Sequence, residues 1–327
     1  MNICSFIIRA KENFMEFAIE GKNLSKKFGE HLAVDAINFQ VAAGKIFALL
    51  GENGAGKTTT IHLLTGLLKP TAGEIFYEGI KASRKEIRSQ ISVTGQFAAL
   101  DEELTGRENL EILGQLHSLP KKTARKKAME LLKQFQLEQA ADRKVSQYSG
   151  GMKRRLDIAA SLLGDPKVLF LDEPTTGIDP ANRRKIWKLI ADLAKKSGMT
   201  IFLTTQYLEE AEILADYVTI MSQGKIIADG SIQTLKKQLP ESKIHLQFSN
   251  EKDFQKAQLV LIGEKIALLP ENKLEILAVE KVQKLTSLFS KLADHEIVVS
   301  DVQLLEPSLE DVYLEVTKGG SSHAMVS

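Results

Sequence analysis

A phosphate-binding loop is the clearest chemical signal in this sequence. Residues 51–58 match the pattern G-x-x-x-x-G-K-[ST] at every defined position. The apolar run 46–50 before the loop predicts a buried strand and the residues after it predict a helix, which is the context that the motif requires. The glycines let backbone N–H groups point at phosphate oxygens, Lys57 supplies charge for the β- and γ-phosphates, and Thr58 offers a hydroxyl to Mg²⁺. The loop therefore predicts a nucleoside triphosphate, held by Gly51, Glu52, Asn53, Gly54, Ala55, Gly56, Lys57, Thr58 and Thr59.

An acidic pair follows a second apolar strand. Asp172 and Glu173 come directly after the strand predicted at 168–171 and before Pro174, which forces a turn. A carboxylate at the end of a buried strand is where Mg²⁺ is held beside a phosphate-binding loop. We expect Asp172 to bind Mg²⁺ and Glu173 to face the γ-phosphate, where it would polarise an attacking water. An isolated Asp-Glu pair is more often a helix cap or a surface pair, but this context favours a functional role.

A Ser-Gly-Gly segment offers a second place for an anion. Ser149 is a natural N-cap for the apolar helix that follows it. Gly150 and Gly151 leave backbone N–H groups open at the positive end of that helix. A simple capped loop is the alternative, and for Ser-Gly-Gly alone it would be preferred. The position of the segment, between the loop at 51–58 and Asp172, favours a role in the same site.

The elements that must position these residues alternate between strands and helices. Residues 17–20 and 33–39 predict strands of alternating polarity, and residues 97–165 are mostly helical. The later strands at 168–171 and 200–204 are continuously apolar. Apolar strands alternating with helices indicate a parallel sheet covered on both faces, so the predicted fold class is α/β.

The pattern changes near Pro240, which marks a domain boundary. We predict an N-terminal extension over 1–15, a nucleotide-binding domain over 16–238, a small α+β domain over 241–318 and a disordered tail over 319–327. The small domain shows the element order β-α-β-β-α-β, which suggests a ferredoxin-like module.

Composition narrows the classes of function. The chain has 327 residues, 43% of them hydrophobic, with a net charge of +1. This charge gives no reason to expect nucleic acid as a partner, and the basic run 121–127 is better explained as a solvated helix face. The single cysteine, Cys4, excludes an intrachain disulfide framework and fits a reducing cytosol. No apolar run approaches the ~20 residues needed to span a bilayer, so we expect any membrane role to pass through a separate partner.

In their order along the chain, the motifs resemble those of the ATP-binding subunit of an ABC transporter. The resemblance covers residues of about 16–235 and implies an ABC-type ATPase domain of the P-loop NTPase class, with an antiparallel β subdomain and a helical subdomain at about 97–165. The ordered set comprises 51–58, Gln96, Tyr148-Ser149-Gly150-Gly151-Met152, Leu171-Asp172-Glu173-Pro174 and Gly177-Ile178-Asp179-Pro180.

The resemblance also implies a homodimer with two shared ATP sites. In that family two nucleotide-binding domains pack head to tail, and each ATP lies between one P-loop and the other subunit's Ser-Gly-Gly segment. This assigns Ser149, Gly150 and Gly151 to the γ-phosphate bound in trans. It assigns Asp179 to communication across the dimer.

Further roles within one site follow from the same resemblance. It assigns Gln96 to Mg²⁺ and the attacking water, Glu173 to the general base, and Lys57 to neutralising the phosphate charge with Mg²⁺. Phe28 lies where the family places an aromatic ring that stacks on adenine. The alternative for Phe28 is a phenylalanine of the core or of a turn, and some use of GTP or CTP stays open.

One position departs from the family pattern. Gln206 stands where ABC ATPases usually carry a histidine, and glutamine donates a hydrogen bond to the γ-phosphate but cannot carry a proton. This predicts slower hydrolysis or a greater dependence on Glu173. The segments 94–110, 204–211 and 306–313 resemble one branch in particular, the ATPases of daunorubicin-resistance-type drug exporters.

The sequence thus predicts an ATPase that powers export through a separate membrane permease, carrying drugs or other amphiphiles. Such a subunit would be cytoplasmic and bound at the inner face of the cell membrane by its permease. The alternative is a soluble ABC ATPase that acts on ribosomes or DNA, although those proteins usually carry two ATP-binding halves or long coiled coils. A kinase or GTPase switch would leave Ser149, Gly150 and Gly151 unexplained.

Overall fold

A computed structural model describes residues 17–81, 87, 90–95, 100–237, 239, 242–278 and 281–319 of the chain. The chain divides into two compact units, Met1–Ile232 and Gln233–Ser327. This division lies earlier than the predicted domain end at 238, and the predicted bounds stay a prediction. The predicted N-terminal extension lies outside the described residues, as does the predicted tail after Gly319.

The first unit is built on a mostly parallel sheet of six strands. Five of them are parallel, and the last edge strand pairs antiparallel with its neighbour. The three central strands β6, β7 and β3 are buried at every position because helices and a second sheet cover them. In sheet order the strands are β5 (Ile91–Thr94), β6 (Val168–Asp172), β7 (Thr200–Thr205), β3 (Ile46–Leu50), β8 (Tyr217–Ser222) and β9 (Lys225–Gly230).

A second, antiparallel sheet packs against the first. It consists of β1 (Phe17–Phe28), β2 (His31–Ala42) and β4 (Ala72–Tyr77), with β1 in the middle. Residues of both sheets share one apolar core, in which Phe47 and Phe202 stack with their ring centroids 5.0 Å apart. This agrees with the predicted α/β class and with the antiparallel β subdomain.

Helices connect the strands and form the predicted helical insert. The basic run at 121–127 lies on one of them, whose lysines 121, 122 and 126 are exposed while Ala124 and Ala128 are buried, as expected for a solvated face. The helices are α1 (Lys57–Leu64), α2 (Gly106–Leu116), α3 (Lys121–Gln134), α4 (Gly150–Ser161), α5 (Pro180–Ser197), α6 (Leu208–Leu214) and α7 (Ile232–Lys237).

The second unit is a four-stranded antiparallel sheet with helices. Its elements are β10 (Ser242–Phe248), α8 (Glu251–Val260), β11 (Ile266–Leu269), β12 (Lys273–Ala278), α9 (Lys281–Ala293), β13 (Val299–Leu305) and α10 (Leu309–Gly319). The sheet order is β11-β12-β10-β13. The order β-α-β-β-α-β is the one that the sequence predicts, followed by a further helix, α10, that it did not predict. The assignment to the ferredoxin-like fold stays a prediction.

Across the described residues we find no helix with the length and apolar content to cross a bilayer. In the same part of the chain, no cluster of three or more His, Cys, Asp and Glu side chains is arranged to hold a metal ion by itself.

Candidate functional site

A cleft of about 1020 Å³ brings the predicted residues together. It lies beside the segments that follow β3, β6 and β7, because parallel strands present their carboxyl ends at one edge of the sheet. Its lining includes Phe28, Asn53, Gly54, Gly56, Lys57, Thr58, Thr59, Gly150, Glu173 and Gln206.

The loop at 51–58 has the geometry of an anion cradle. Gly54 and Gly56 adopt left-handed φ angles of 83° and 107°, which other residues rarely adopt. A Cβ atom on Gly51 would lie 2.3 Å from the Met221 carbonyl oxygen, so that position also requires glycine. No side chain caps the N-terminus of α1, which leaves its first N–H groups available to an anion. These features fit a bound triphosphate.

The Lys57 side chain hydrogen-bonds to the backbone of this loop. Its Nζ donates hydrogen bonds to the carbonyl oxygens of Gly51, at 2.8 Å, and Glu52, at 3.0 Å. The same Nζ lies 3.2 Å from Oε1 of Glu173, and both side chains are nearly buried. Lys57 therefore has two kinds of anionic partner, the Glu173 carboxylate seen here and the phosphates that the motif predicts.

A hydroxyl and a carboxylate converge where magnesium is predicted. Thr58 Oγ1 donates to Oδ1 of Asp172 at 3.3 Å, and Thr204 Oγ1 donates to the same oxygen at 2.6 Å. Oxygen ligands of this kind are the ones that Mg²⁺ prefers. The arrangement fits a magnesium ion held by Thr58 and Asp172, while Gln96, the third predicted ligand, lies outside the described residues.

Glu173 is held in a strained backbone conformation. Its φ of 47° is in the left-handed region, which costs a non-glycine residue about 1 kcal/mol or more. Its N–H donates to the carbonyl oxygen of Thr204 at 3.2 Å and to the Thr204 hydroxyl at 3.1 Å. Thr176 Oγ1 donates to Oε2 of Glu173 at 3.2 Å. These bonds fix the carboxylate toward Lys57 and the cleft.

Phe28 and Gln206 lie at other parts of the cleft wall. The Phe28 ring is 45% exposed at the end of β1, which excludes a core phenylalanine. A turn follows directly at 29–30, so the alternative of a turn phenylalanine stays open. Lys26 Nζ lies 5.1 Å from its centroid. Gln206 directly follows β7 and is partly exposed to the cleft.

The Ser-Gly-Gly segment begins α4 as the sequence predicts. Ser149 is the N-cap, and its side chain accepts a hydrogen bond from the Met152 N–H at 3.3 Å. A Cβ atom on Gly151 would lie 2.8 Å from the Asn182 side chain, so glycine permits this contact. Gly150 lines the cleft of its own chain, and its predicted action in trans stays a prediction.

Asp179 has a local role that sequence reasoning missed. It is the N-cap of α5, accepting hydrogen bonds from the N–H and the side-chain amide of Asn182 at 3.0 and 2.7 Å. These bonds lower the pKa of Asp179 below its ordinary value. Because Asn182 also packs on Gly151, Asp179 supports the segment that begins α4.

Several buried charged side chains were not predicted, Arg154 and Glu210 among them. Arg154 on α4 donates to the backbone carbonyl oxygens of Asp172 and Pro174, and burial lowers the pKa of its guanidinium. Glu210 on α6 is fully buried, accepts hydrogen bonds from Thr175 Oγ1 and Trp187 Nε1 at 2.7 and 2.8 Å, and has a pKa raised by burial. The sequence offered no signal for either residue, because each lies in a helix segment with other charged residues, 153–157 and 209–212.

Comparison with known proteins identifies the relatives of this chain. The family described as ABC transporter matches residues 34–176, which contain the loop, the Ser-Gly-Gly segment and the acidic pair. A daunorubicin resistance ATP-binding protein of Streptomyces coeruleorubidus is 41% identical over 307 residues, covering 92% of this chain and 95% of that protein. A doxorubicin resistance ATP-binding protein of Mycobacterium tuberculosis is 39% identical over 315 residues, covering 93% of this chain and 94% of the relative.

A solved structure agrees with these relatives. A dimeric ATP-binding cassette in a post-hydrolysis state, bound to ADP and Pi, is 28% identical with a TM-score of 0.59, covering 65% of this chain and 98% of that one.

Proposed function

We propose that this chain drives efflux of drugs or similar amphiphiles through a separate membrane permease. The chain belongs to the daunorubicin-resistance branch of the ABC transporter family, as an ATP-binding and ATP-hydrolysing export subunit. The end-to-end similarity to two drug-resistance ATP-binding proteins is the observation that carries this proposal. It favours export over the alternative of an ATPase that acts on ribosomes or DNA.

Binding of ATP would use the loop and the aromatic ring that both line the cleft. The backbone N–H groups of 51–58 and the Lys57 ammonium hold the phosphates, and Phe28 stacks on the base. Thr58, Asp172 and Gln96 hold magnesium. Bound there, Mg²⁺ supplies positive charge that neutralises the β- and γ-phosphates.

Hydrolysis would use Glu173 as the general base. Its carboxylate takes a proton from water while the water oxygen bonds to the γ-phosphorus and the bond to the bridging oxygen breaks, giving ADP and phosphate. Gln206 donates a hydrogen bond to the γ-phosphate and carries no proton at any stage. Proton transfer therefore depends on Glu173 alone.

Two copies of the chain would complete each site. Ser149, Gly150 and Gly151 at the start of α4 bind the γ-phosphate held by the other copy, and Asp179 links the two sites. Closure of this homodimer is passed to the permease, which keeps the complex at the cytoplasmic face of the membrane. The dimeric cassette with ADP and Pi supports this arrangement.

Transport in vesicles tests the proposal. The chain and the membrane protein encoded beside it are co-expressed, and ATP-dependent uptake of a fluorescent anthracycline into inverted vesicles is measured. Lys57→Ala should abolish uptake, whereas the matched variant Lys185→Ala, at an exposed position of α5, should retain it. Stimulation of the ATPase by ribosomes or DNA, without uptake, would contradict the proposal.

A further inference from the structure

Arg154 connects α4, the helix that Ser149 caps, to the backbone at the ends of β5 and β6 of its own chain. The side chain is 7% exposed. Its Nε donates to the Pro174 carbonyl oxygen at 2.8 Å, and its Nη2 donates to that of Asp172 at 3.0 Å. Its Nη1 donates to the Gly95 carbonyl oxygen at 2.7 Å and to Oδ2 of Asp157 at 3.1 Å.

The three carbonyl groups belong to residues next to the proposed catalytic residues Glu173 and Gln96. Asp172 and Pro174 flank Glu173, so Arg154 hydrogen-bonds to the backbone on both sides of the proposed base. Gly95 directly precedes Gln96, the predicted third magnesium ligand. A guanidinium is a rigid planar fork with five N–H donors, whereas the lysine ammonium has a different shape and fewer donors. Arginine can therefore donate to all three carbonyl groups from separate nitrogens of one side chain, which lysine cannot do.

The neighbouring Arg155 shows that this arrangement is not a general property of α4. Arg155 is also buried, at 8% exposure, but its Nη1 donates to the carbonyl oxygens of Phe135 and Gln136 at 2.9 and 3.2 Å. Those carbonyls belong to the helical insert, at the end of α3. The two arginines therefore tie one helix to two different parts of the chain.

We propose that Arg154 is a positioning residue that couples the two ATP sites of the dimer, because it ties the Ser149–Gly151 segment, which serves one nucleotide, to the Glu173 backbone, which serves the other. This inference rests on the proposed dimer with shared sites. A shift of α4 when its N-terminus meets a γ-phosphate would reach the base of the second site through the Arg154 side chain.

Mixed dimers with a single live site separate this coupling from a merely structural role. One subunit carries Lys57→Ala, so its own P-loop is inactive, and its Ser149–Gly151 segment completes the live site of the other subunit. Arg154→Gln is placed either in the subunit that supplies the live Glu173 or in the subunit that supplies the live Ser149. Turnover, KM for ATP and the thermal midpoint are measured for each dimer.

Both placements should lower turnover by about tenfold or more, since small misplacement of reacting groups is costly. The affinity for a fluorescent ATP analogue should change little, because Arg154 holds the base and α4 rather than the P-loop. The matched control Arg155→Gln in the Ser149-supplying subunit should lower stability but leave turnover of the live site close to that of the unmodified mixed dimer. Arg154→Lys gives the same comparison if the glutamine variant does not fold.

Loss of turnover only when Arg154→Gln shares a chain with the live Glu173 would overturn the coupling. Equal loss from Arg154→Gln and Arg155→Gln, in step with their stabilities, would also overturn it. Failure of the proposed dimer gives a different result, because Ser149→Phe would then leave hydrolysis of the full chain unchanged. If Ser149→Phe abolishes hydrolysis while Arg154→Gln in trans has no effect, the coupling alone is wrong.

Discussion

Replacing Glu173 by glutamine should stop hydrolysis and strengthen ATP binding at the same time. Lys57 Nζ lies 3.2 Å from Glu173 Oε1, a separation at which two unit charges attract by about 5 kcal/mol at an effective dielectric constant of about 20. Removing one partner of a buried pair leaves the other charge uncompensated, at a cost of about 3–5 kcal/mol. Binding of ATP should recover part of this free energy, because the phosphates give Lys57 a new anionic partner.

The expected gain in ATP affinity is about tenfold for each 1.4 kcal/mol that is returned. Loss of the general base should lower the hydrolysis rate by about 10²–10⁴-fold. ATP would then be retained, and the closed dimer should accumulate. Equilibrium binding of a fluorescent ATP analogue, phosphate release at steady state and size-exclusion chromatography with ATP and Mg²⁺ measure these three effects.

The control is Glu209→Gln, the same chemical change at an exposed carboxylate of α6. It should alter neither binding nor hydrolysis. Steady-state hydrolysis of Glu173→Gln at a rate close to wild type would show that another group is the base. Unchanged ATP affinity in that variant would show that phosphates do not compete with Glu173 for Lys57.

Three further predictions address the adenine ring, the γ-phosphate and the second unit. Phe28→Ala should weaken ATP binding by about 1–3 kcal/mol in equilibrium titrations while Phe28→Tyr retains it, since stacking needs only an aromatic face; equal affinities would reject the stacking role. Gln206→Ala should lower kcat by about tenfold, as one hydrogen bond to a charged group is lost, and Gln206→His should add a titration near pH 6.5 to the kcat profile. Although partial burial works to raise the pKa of Asp311, hydrogen bonds from Lys243 and Ser308 lower it from 3.8 to about 2. The stabilisation is therefore present above about pH 4 and lost as the pH falls through about 2. Because the pair is partly exposed, Asp311→Asn should cost only on the order of 1 kcal/mol in denaturation at pH 6, and a small part of that at pH 2.

The features easiest to predict from the sequence were those whose functional residues lie in one continuous stretch. The loop at 51–58 carries its strand, its glycines and its lysine in one stretch, so both its conformation and its ligand could be predicted. The strands β6 and β7 are buried at every position and read as continuous apolar runs. Parallel strands end at one edge of their sheet, so Glu173, directly after β6, could be placed at that edge. The place of Gln206 in the site came from the family resemblance.

The residues that hold these segments together could not be predicted in the same way. Arg154 donates to carbonyl groups 18 to 59 positions away. A sequence does not show which backbone carbonyl groups a side chain will contact. Glu210 is fully buried, and Thr175 and Trp187 donate hydrogen bonds to its Oε1 from other elements. Propensity rules place arginine and glutamate on surfaces, so only the tertiary contacts reveal that these two are interior.

The contacts of Lys57 and Glu173 imply an order of events at the site. Thr204 donates from its hydroxyl to Asp172 and accepts the Glu173 N–H with its carbonyl and hydroxyl oxygens, so the Asp172 carboxylate and the Glu173 backbone are fixed before the reaction. Groups fixed in advance need no reorganisation in the transition state. The Glu173 side chain, however, is paired with Lys57 at 3.2 Å, so in this arrangement the carboxylate is held by the lysine. Since phosphates compete for Lys57, we expect the arrival of ATP itself to release the base, so that the site gains its proton acceptor only when there is a substrate to hydrolyse.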